Sequence, residues 1–421
     1  MTTTLFTLLF ILFLGIETIV KLWLSNRQVR YVSQHRNAVP AEFSEKISLH
    51  SHQRAADYTV ERMKLGMTEW ICDAMVLVGF TLLGGLQLLD LFLREQFSGD
   101  MWRQLVLLAS VSIITGLLHL PFSLWRQFKL EAKYGFNRMT LKLFISDSIK
   151  GIIISLMLGL PLMAAILWLM AEAGNAWWLW AWALWVGFNV LILYLFPTFI
   201  APMFNKFTPL DNPELAERIN KLAARCGFTL NGLFVMDGSK RSAHGNAYFT
   251  GFGKSRRIVF FDTLLNKLNG PEIEAVLAHE LGHFKHKHII KRMLISFFIA
   301  LVFFAILGYV KNTIWFYEGL GVIPAMGRSN DALALLLFFM AVPVFTFLLS
   351  PLSSWFSRKD EFQADQYASQ QAEAQSLVSA LVKLYDDNAA TLTPDPVHSA
   401  FYDSHPPASV RIRHLLTGAK V

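Results

Sequence analysis

The chain alternates between long apolar runs and polar segments. A helix that crosses the apolar core of a bilayer needs about 20 predominantly apolar residues. Seven runs meet that requirement, and we predict a membrane-spanning helix in each: residues 4–24, 67–93, 101–124, 143–171, 176–200, 294–310 and 332–350. The pattern therefore predicts a mainly α-helical integral membrane protein with seven spans.

The composition agrees with this prediction. Of the 421 residues, 54% are hydrophobic and only 16% are charged, whereas a soluble domain carries about 25% charged residues. These values exclude a disordered chain, a disulfide scaffold and an ordinary soluble enzyme.

The basic residues indicate how the chain is oriented. Of the 38 Lys and Arg, 32 fall in four segments that alternate to one side of the membrane: 25–66, 125–142, 201–293 and 351–421. The positive-inside rule then places the N-terminus outside and these four segments in the cytosol. Because the basic residues follow topology and form no single stripe, we predict no nucleic-acid partner.

The chain divides into two parts. Residues 1–200 form a predicted membrane domain with five spans, and residues 201–421 form a polar domain interrupted by spans six and seven. In the polar domain we predict an amphipathic helix over 212–226. Short strands are predicted at 233–236, 246–252 and 257–261, with a hairpin turn within 251–255. This gives a small α+β domain.

The chemistry lies on a helix that begins after Gly270, with Pro at its first position. Two histidines, His279 and His283, are four residues apart, so they share one face and both imidazoles can reach one ion. Glu280 follows the first of them, where it can act as general base on an attacking water. This is the HExxH pattern of zinc peptidases.

A catalytic zinc site needs three protein ligands and one open position. After span seven, Glu361 and Asp365 are also four residues apart on a predicted helix. One of them could bind the metal while the other orients a ligand histidine, although a solvent-facing pair has the same spacing. His286 and His288 are alternative ligands, but two lysines flank His286 and favour a basic face at the membrane surface.

Beyond HExxH, the sequence resembles the type I CAAX prenyl proteases, which are integral-membrane zinc metallopeptidases. The resemblance covers nearly the whole chain. Its further motifs are the Tyr-Gly-Phe-Asn run at 134–137 and the runs at 204–210, 238–252, 257–264 and 405–411.

The resemblance implies seven helices around a water-filled chamber, with the zinc metalloprotease domain on the cytosolic side. It also implies one Zn²⁺ per chain, held by His279, His283 and Glu361. By the same resemblance Asp365 orients His279 without touching the metal.

Two further groups of residues follow from the resemblance. His405 assists at the scissile carbonyl, and Arg411 holds either His405 or the carboxylate end of the substrate. The strand at Asn246, Ala247 and Tyr248 holds the substrate backbone by strand addition.

The expected function is therefore hydrolysis of peptide bonds near the C-terminus of a peptide or protein, prenylated or similar, in contact with membrane lipid. The chain is compact and ends without a dilysine-type retention signal. We therefore expect a bacterial inner-membrane protein, or an endoplasmic-reticulum protein if the source is eukaryotic.

Three alternatives remain open at this point. An HtpX-like quality-control protease would share the HExxH domain. A transporter would use the charged residues in the spans but would leave the histidines without a role. A structural zinc site would need a fourth protein ligand. Natural substrate, cleavage register and oligomeric state are not given by the sequence.

Overall fold

The structure is a computed structural model that describes residues 1–250 and 257–417. Helices dominate it. The helices of the first half are α1 (Thr3–Gln34), α2 (Leu49–Phe80), α3 (Gly85–Gln96), α4 (Asp100–Trp125), α5 (Leu141–Glu172), α6 (Trp177–Leu195) and α7 (Ala201–Phe204).

In the second half, the described residues form four strands and the remaining helices. The strands are β1 (Phe207–Pro209), β2 (Leu233–Met236), β3 (Ala247–Thr250) and β4 (Arg257–Phe261). The helices are α8 (Pro213–Arg225), α9 (Asp262–Leu265), α10 (Gly270–Lys285), α11 (His288–Val310), α12 (Ile314–Glu318), α13 (Asp331–Thr346), α14 (Ser350–Gln371), α15 (Ala374–Asp387), α16 (Pro396–Tyr402) and α17 (Ala408–Thr417).

The predicted membrane helices are confirmed, with one difference. Six helical stretches in the described residues are long and apolar enough to cross a bilayer, and they coincide with six of the predicted spans. The second predicted span is instead a broken helix, because α2 and α3 meet at an angle of 50°. Gly84 lies in the break with φ of +78°, a left-handed conformation that a glycine adopts without strain.

Helices α1 and α2 run well past the apolar segments predicted for them and reach the second half of the chain. Arg27 on α1 forms a bidentate pair with Asp395, at 2.9 and 3.2 Å. Trp70 on α2 stacks on Tyr402 of α16, with ring centroids 6.0 Å apart. These contacts hold α1 and α2 against the second half of the chain.

The four strands form one sheet in the order β1-β2-β4-β3. Strand β2 pairs in parallel with β4, while β1 and β3 pair antiparallel with their neighbours. The predictions for β2 and β4 are confirmed. Strand β3 occupies part of the predicted segment 246–252, and the predicted turn at 251–255 lies outside the described residues. As the last strand in this order, β3 pairs on one side only within residues 1–250 and 257–417, and its other side is here called the open edge.

Beneath the sheet, α8 and α10 form a hydrophobic core with the buried side chains of β4. Helix α8 begins with Asn212 as its cap and buries the apolar face that its sequence predicted. Helix α10 begins with a capping box in which the side chains of Asn269 and Glu272 bond each other's backbone N–H. Both helices are thereby held at defined ends, which matters for α10 because it carries HExxH.

Charged residues on the membrane helices are paired. Glu17 and Lys21 lie 2.6 Å apart on α1. Asp73 on α2 lies 3.2 Å from His119 on α4, and their side chains are 46% and 44% exposed. Arg126 beyond α4 pairs with Glu69. Because such groups avoid lipid, we expect the half-exposed pair to face open, water-filled space.

Candidate active site

Helices α10 and α14 bring three metal-ligating side chains together. The Nε2 atoms of His279 and His283 lie 3.3 Å apart. The carboxylate of Glu361 lies 3.4 Å from the first and 3.3 Å from the second. All three potential ligand atoms fall within 4.8 Å of one another, so one ion can contact all of them.

The cluster exists because α10 and α14 touch at backbone level. A Cβ added to Gly282, between the two histidines, would lie 2.9 Å from Cα and 3.1 Å from the carbonyl oxygen of Ala364. Only a residue without a side chain allows this approach. The close contact places Glu361 opposite the histidine face of α10.

The donor set fits a divalent metal ion. Two imidazoles and one carboxylate are a ligand set of catalytic zinc sites, which keep a further position open. Glu361 is only 3% exposed, and its Oε2 atom lies 3.4 Å from Nε2 of His279 and 3.8 Å from Nη1 of Arg411. A buried carboxylate needs positive partners; Arg411 is one, and a bound cation would be another.

Asp365, one turn after Glu361, contacts His279 from behind. Its Oδ1 atom lies 2.8 Å from Nδ1 of His279, so the carboxylate fixes the ring and leaves Nε2 for the metal. Burial lowers the pKa of His279, but the hydrogen bonds to Asp365 and Glu361 outweigh burial and raise that pKa to about 9. Binding of a metal at Nε2 therefore displaces a proton.

Arg411 corrects one expectation from the sequence. Its guanidinium is buried and donates from Nε and Nη2 to Asp365, at 2.8 and 2.6 Å. Burial lowers the pKa of Arg411, but the carboxylates of Asp365 and Glu361 raise it above its ordinary value. Among the described residues Arg411 makes no hydrogen bond to His405, and its Nη2 atom instead lies 3.3 Å from Nδ1 of His279. The alternative partner, the carboxylate end of the substrate, stays a prediction.

The two other predicted catalytic residues flank the cluster. Glu280 is half-buried and makes no hydrogen bond or ion pair within the described ranges, which leaves its carboxylate available. The side chain of His405 is 58% exposed, and its Nε2 atom lies 3.5 Å from Oε1 of Glu361. Its Nδ1 atom lies 3.0 Å from the hydroxyl of Ser404.

His288 has a place that the sequence did not indicate. Its side chain is 1% exposed, so the interpretation as part of a membrane-surface face is wrong for this residue. Its Nδ1 atom lies 3.0 Å from Nδ1 of His283, and its Nε2 atom lies 2.9 Å from Oε1 of Gln363. His288 thus lies behind a ligand histidine. Lys287 makes this possible, because its left-handed backbone (φ 57°) turns the chain between α10 and α11.

The predicted substrate strand lies beside α10. Phe249 on β3 contacts Phe284, which follows His283, with ring centroids 5.2 Å apart. Asn246 immediately precedes β3, and its carbonyl accepts from the N–H of Phe261 on β4. Since backbone groups alternate in direction along an antiparallel strand, Ala247 and Phe249 face the open edge.

At that edge, the Oδ1 atom of Asn246 accepts the N–H of Ala247 at 2.8 Å. The Nδ2 group of Asn246 makes no hydrogen bond to any described residue and remains as a donor. Tyr248 points to a face of the sheet and contacts Phe261, with ring centroids 6.3 Å apart; burial raises its pKa. A peptide strand could therefore pair with this edge through Asn246, Ala247 and Phe249.

Comparison with known proteins gives two family matches. Residues 28–206 match the family described as CAAX prenyl protease N-terminal, five membrane helices. Residues 209–419 match peptidase family M48. The two matches adjoin each other and together span most of the chain.

Individual relatives agree with these matches. The chain is 39% identical to a CAAX prenyl protease 1 homolog of Oryza sativa subsp. japonica, over 74% of this chain and 72% of the relative. It is 37% identical to CAAX prenyl protease 1 of Saccharomyces cerevisiae, again over 74% and 72%. The crystal structure of S. mikatae Ste24p superposes with a TM-score of 0.91 at 30% identity, covering 97% of this chain and 99% of that one.

Proposed function

Because the chain belongs to peptidase family M48 and is a multi-pass membrane protease, we propose that it is a zinc-dependent endopeptidase that removes C-terminal residues from prenylated or similar peptides. The observation that carries the proposal is the cluster of His279, His283 and Glu361 on two helices in backbone contact. The relatives named above are CAAX prenyl proteases, which supports a substrate of that class.

His279, His283 and Glu361 would hold one zinc ion per chain. When bound, zinc supplies a Lewis acid for the scissile carbonyl and makes a water molecule acidic enough to attack near neutral pH. Asp365 keeps the ring of His279 in place, and Arg411 holds both oxygens of Asp365. The metal ligands are thus oriented before the substrate arrives.

Glu280 and His405 would move the protons. The unpaired carboxylate of Glu280 accepts a proton from the attacking water and returns it to the leaving amine. His405, exposed at the edge of the cluster, donates a hydrogen bond to the oxygen on which negative charge develops. Asn246 and Ala247 hold the substrate backbone at the open edge of β3, beside Tyr248.

The proposal also includes a water-filled chamber and the side of the membrane on which the catalytic half lies. The open space that Asp73 and His119 face would be part of a water-filled chamber enclosed by the membrane helices, to which lipid-bound substrates gain access. The distribution of Lys and Arg supports a cytosolic position for the catalytic half. The expected location in a bacterial inner membrane stays a prediction.

The experiment that tests the proposal is a matched cleavage assay. Wild type and Glu280→Gln are purified in detergent, and each receives a farnesylated CAAX peptide and its unfarnesylated twin. The substitution keeps the size and polarity of the side chain but removes its basicity. Metal content is measured in both proteins, so that loss of activity and loss of metal are separated.

We expect cleavage by wild type alone, mainly of the farnesylated peptide, with about one zinc per chain in both proteins. Equal cleavage of both peptides would support peptidase activity without a preference for prenylated substrates, and would favour general proteolysis of the HtpX kind. Undiminished cleavage by Glu280→Gln would refute the assigned mechanism. Zinc at full content without cleavage of either peptide would refute the substrate class.

A further inference from the structure

We propose that a polar cavity beside the metal site binds the free C-terminal carboxylate of the peptide substrate, with Arg62 as its cationic anchor. This inference rests on the proposed function and specifies how the substrate end is recognised. The cavity, here called the carboxylate cavity, has a volume of about 480 Å³. Residues from α2, α15 and α16 line it together with His244 and His405.

The carboxylate cavity adjoins the reacting centre. His405 forms part of its wall, and the Nε2 atom of the same residue lies 3.5 Å from Glu361. His244, two residues before Asn246, forms another part of the wall. The cavity therefore extends from His405, next to Glu361, to the chain that leads into β3.

Arg62 supplies a positive charge to this cavity, and the same charge also favours the ionised carboxylate of Glu131. The side chain of Arg62 is exposed and lines the cavity, and it forms no ion pair with any residue that the structure describes. The guanidinium lies over the ring of Tyr58, 5.6 Å from the centroid. Asp403 also lines the cavity but does not pair with Arg62. A guanidinium in this state binds a carboxylate through two parallel hydrogen bonds.

Two buried polar atoms in the same wall have no partner. Neither Nδ1 of His398 nor the hydroxyl oxygen of Tyr402 has a hydrogen bond within residues 1–250 and 257–417. Both residues line the carboxylate cavity, and their rings are 4.8 Å apart. Buried polar groups are almost always satisfied, so these two atoms make this wall of the cavity one that a polar occupant suits better than an apolar one.

The direction of the substrate follows from the two ends of β3. A second cavity, of about 700 Å³, lies at its Thr250 end and is lined mainly by aromatic and aliphatic side chains, among them Leu193, Phe207 and Phe234. A prenylated cysteine precedes the residues to be removed. The lipid fits the apolar cavity at the Thr250 end of β3, and the chain end fits the carboxylate cavity at the other end. Both fit at once only if the peptide runs antiparallel to β3.

This arrangement also limits the length of the released segment. Three extended residues span about 10 Å, so a carboxylate held by Arg62 fixes how far from the chain end the scissile bond can lie. A peptide with a terminal amide cannot form the charge-assisted pair with Arg62. Its chain end is then not held at a fixed distance from the scissile bond. Recognition of the chain end is thus a specificity determinant separate from recognition of the lipid.

The test measures binding and cleavage of two farnesylated CAAX peptides, one ending in a carboxylate and one in an amide. Binding is measured on Glu280→Gln, so that it does not depend on turnover. The variant is Arg62→Met. Lys64→Met is the matched control, because Lys64 is an exposed cation on the same helix that does not line the carboxylate cavity.

We expect the acid to bind ten- to a hundredfold more tightly than the amide, the loss that follows removal of one charge-assisted hydrogen bond. Arg62→Met should abolish this preference by weakening the acid alone, and should raise KM for the acid with little change in kcat. Lys64→Met should keep the preference. Equal binding of acid and amide, or equal weakening of both by Arg62→Met, overturns the inference. Failure of wild type to cleave either peptide would contradict the proposed function. The inference about Arg62 would still be tested, because binding is measured separately from cleavage.

Discussion

Replacement of Gly282 by alanine tests whether the helix contact sets the geometry of the metal site. The added Cβ would lie 2.9 Å from Cα of Ala364, whereas ordinary contacts of a Cβ begin at 3.4 Å. The atoms it meets on Ala364 belong to the backbone and cannot rotate away. Helices α10 and α14 must therefore separate by about 0.5 Å, which moves Glu361 away from the two histidines.

The cost of that movement can be estimated. Overpacking costs about 1–3 kcal/mol, and the better helix propensity of alanine returns about 1 kcal/mol, so the protein should still fold. A misplacement of 1 Å at a catalytic centre costs about 10²-fold in rate. If the free-energy cost scales with distance, 0.5 Å corresponds to about a tenfold fall in kcat/KM.

The assay compares Gly282→Ala with Gly116→Ala, a change on α4 where an added Cβ meets nothing within 4 Å. For each protein, kcat/KM for a farnesylated peptide is measured at saturating zinc, and the dissociation constant of zinc is measured separately. We expect weaker zinc binding and lower kcat/KM only in Gly282→Ala. A value of kcat/KM within twofold of wild type, at unchanged zinc affinity, would refute the reasoning.

Three further changes have definite expected outcomes. Asp365→Asn should weaken zinc binding by about 10–100-fold, because His279 loses its orienting carboxylate; titration against a zinc buffer measures this. His405→Ala should lower kcat by about 10²–10³-fold with KM little changed, as for the loss of one oxyanion donor; steady-state kinetics checks it, and a change confined to KM would contradict it. Glu131 raises the pKa of His244 against the opposing effect of burial, so this stabilisation is fully present below about pH 6.5 and is lost as pH rises through the higher pKa of the folded state. The difference in Tm between wild type and His244→Gln should therefore shrink as the pH rises above about 6.5, and a constant difference would exclude the ion pair as its cause.

Hydrophobic runs located the spans because lipid requires long apolar segments whatever their packing. The same signal does not show the break between α2 and α3, since Leu82 and Leu83 continue the apolar run through it. It also ended α1 ten residues too early. The end of that helix is polar, and its conformation depends on contacts with distant residues such as Asp395.

The residues of the site also fall into two groups, those that local spacing predicts and those that depend on tertiary packing. The spacing of His279 and His283 is a local property of one helix, so the sequence alone predicts a shared ligand face. The position of Glu361 depends on packing against α10, and spacing alone left open which carboxylate would face the histidines. The buried pairing of Arg411 and the place of His288 behind His283 result from tertiary contacts. No local pattern in the sequence contains that information.

The helices that carry the metal ligands continue into membrane spans, so bilayer thickness can affect the distances between those ligands. Helix α10 is followed after two residues by the sixth span, and α14 is the continuation of the seventh, within one helical stretch from Asp331 to Gln371. Spans adjust to a thicker or thinner bilayer by changing their tilt, at a cost of fractions of a kcal/mol per Å. Any difference in tilt between these two spans changes the separation of Glu361 from the histidines. We therefore expect the affinity of this site for zinc to change with the acyl-chain length of the surrounding lipid.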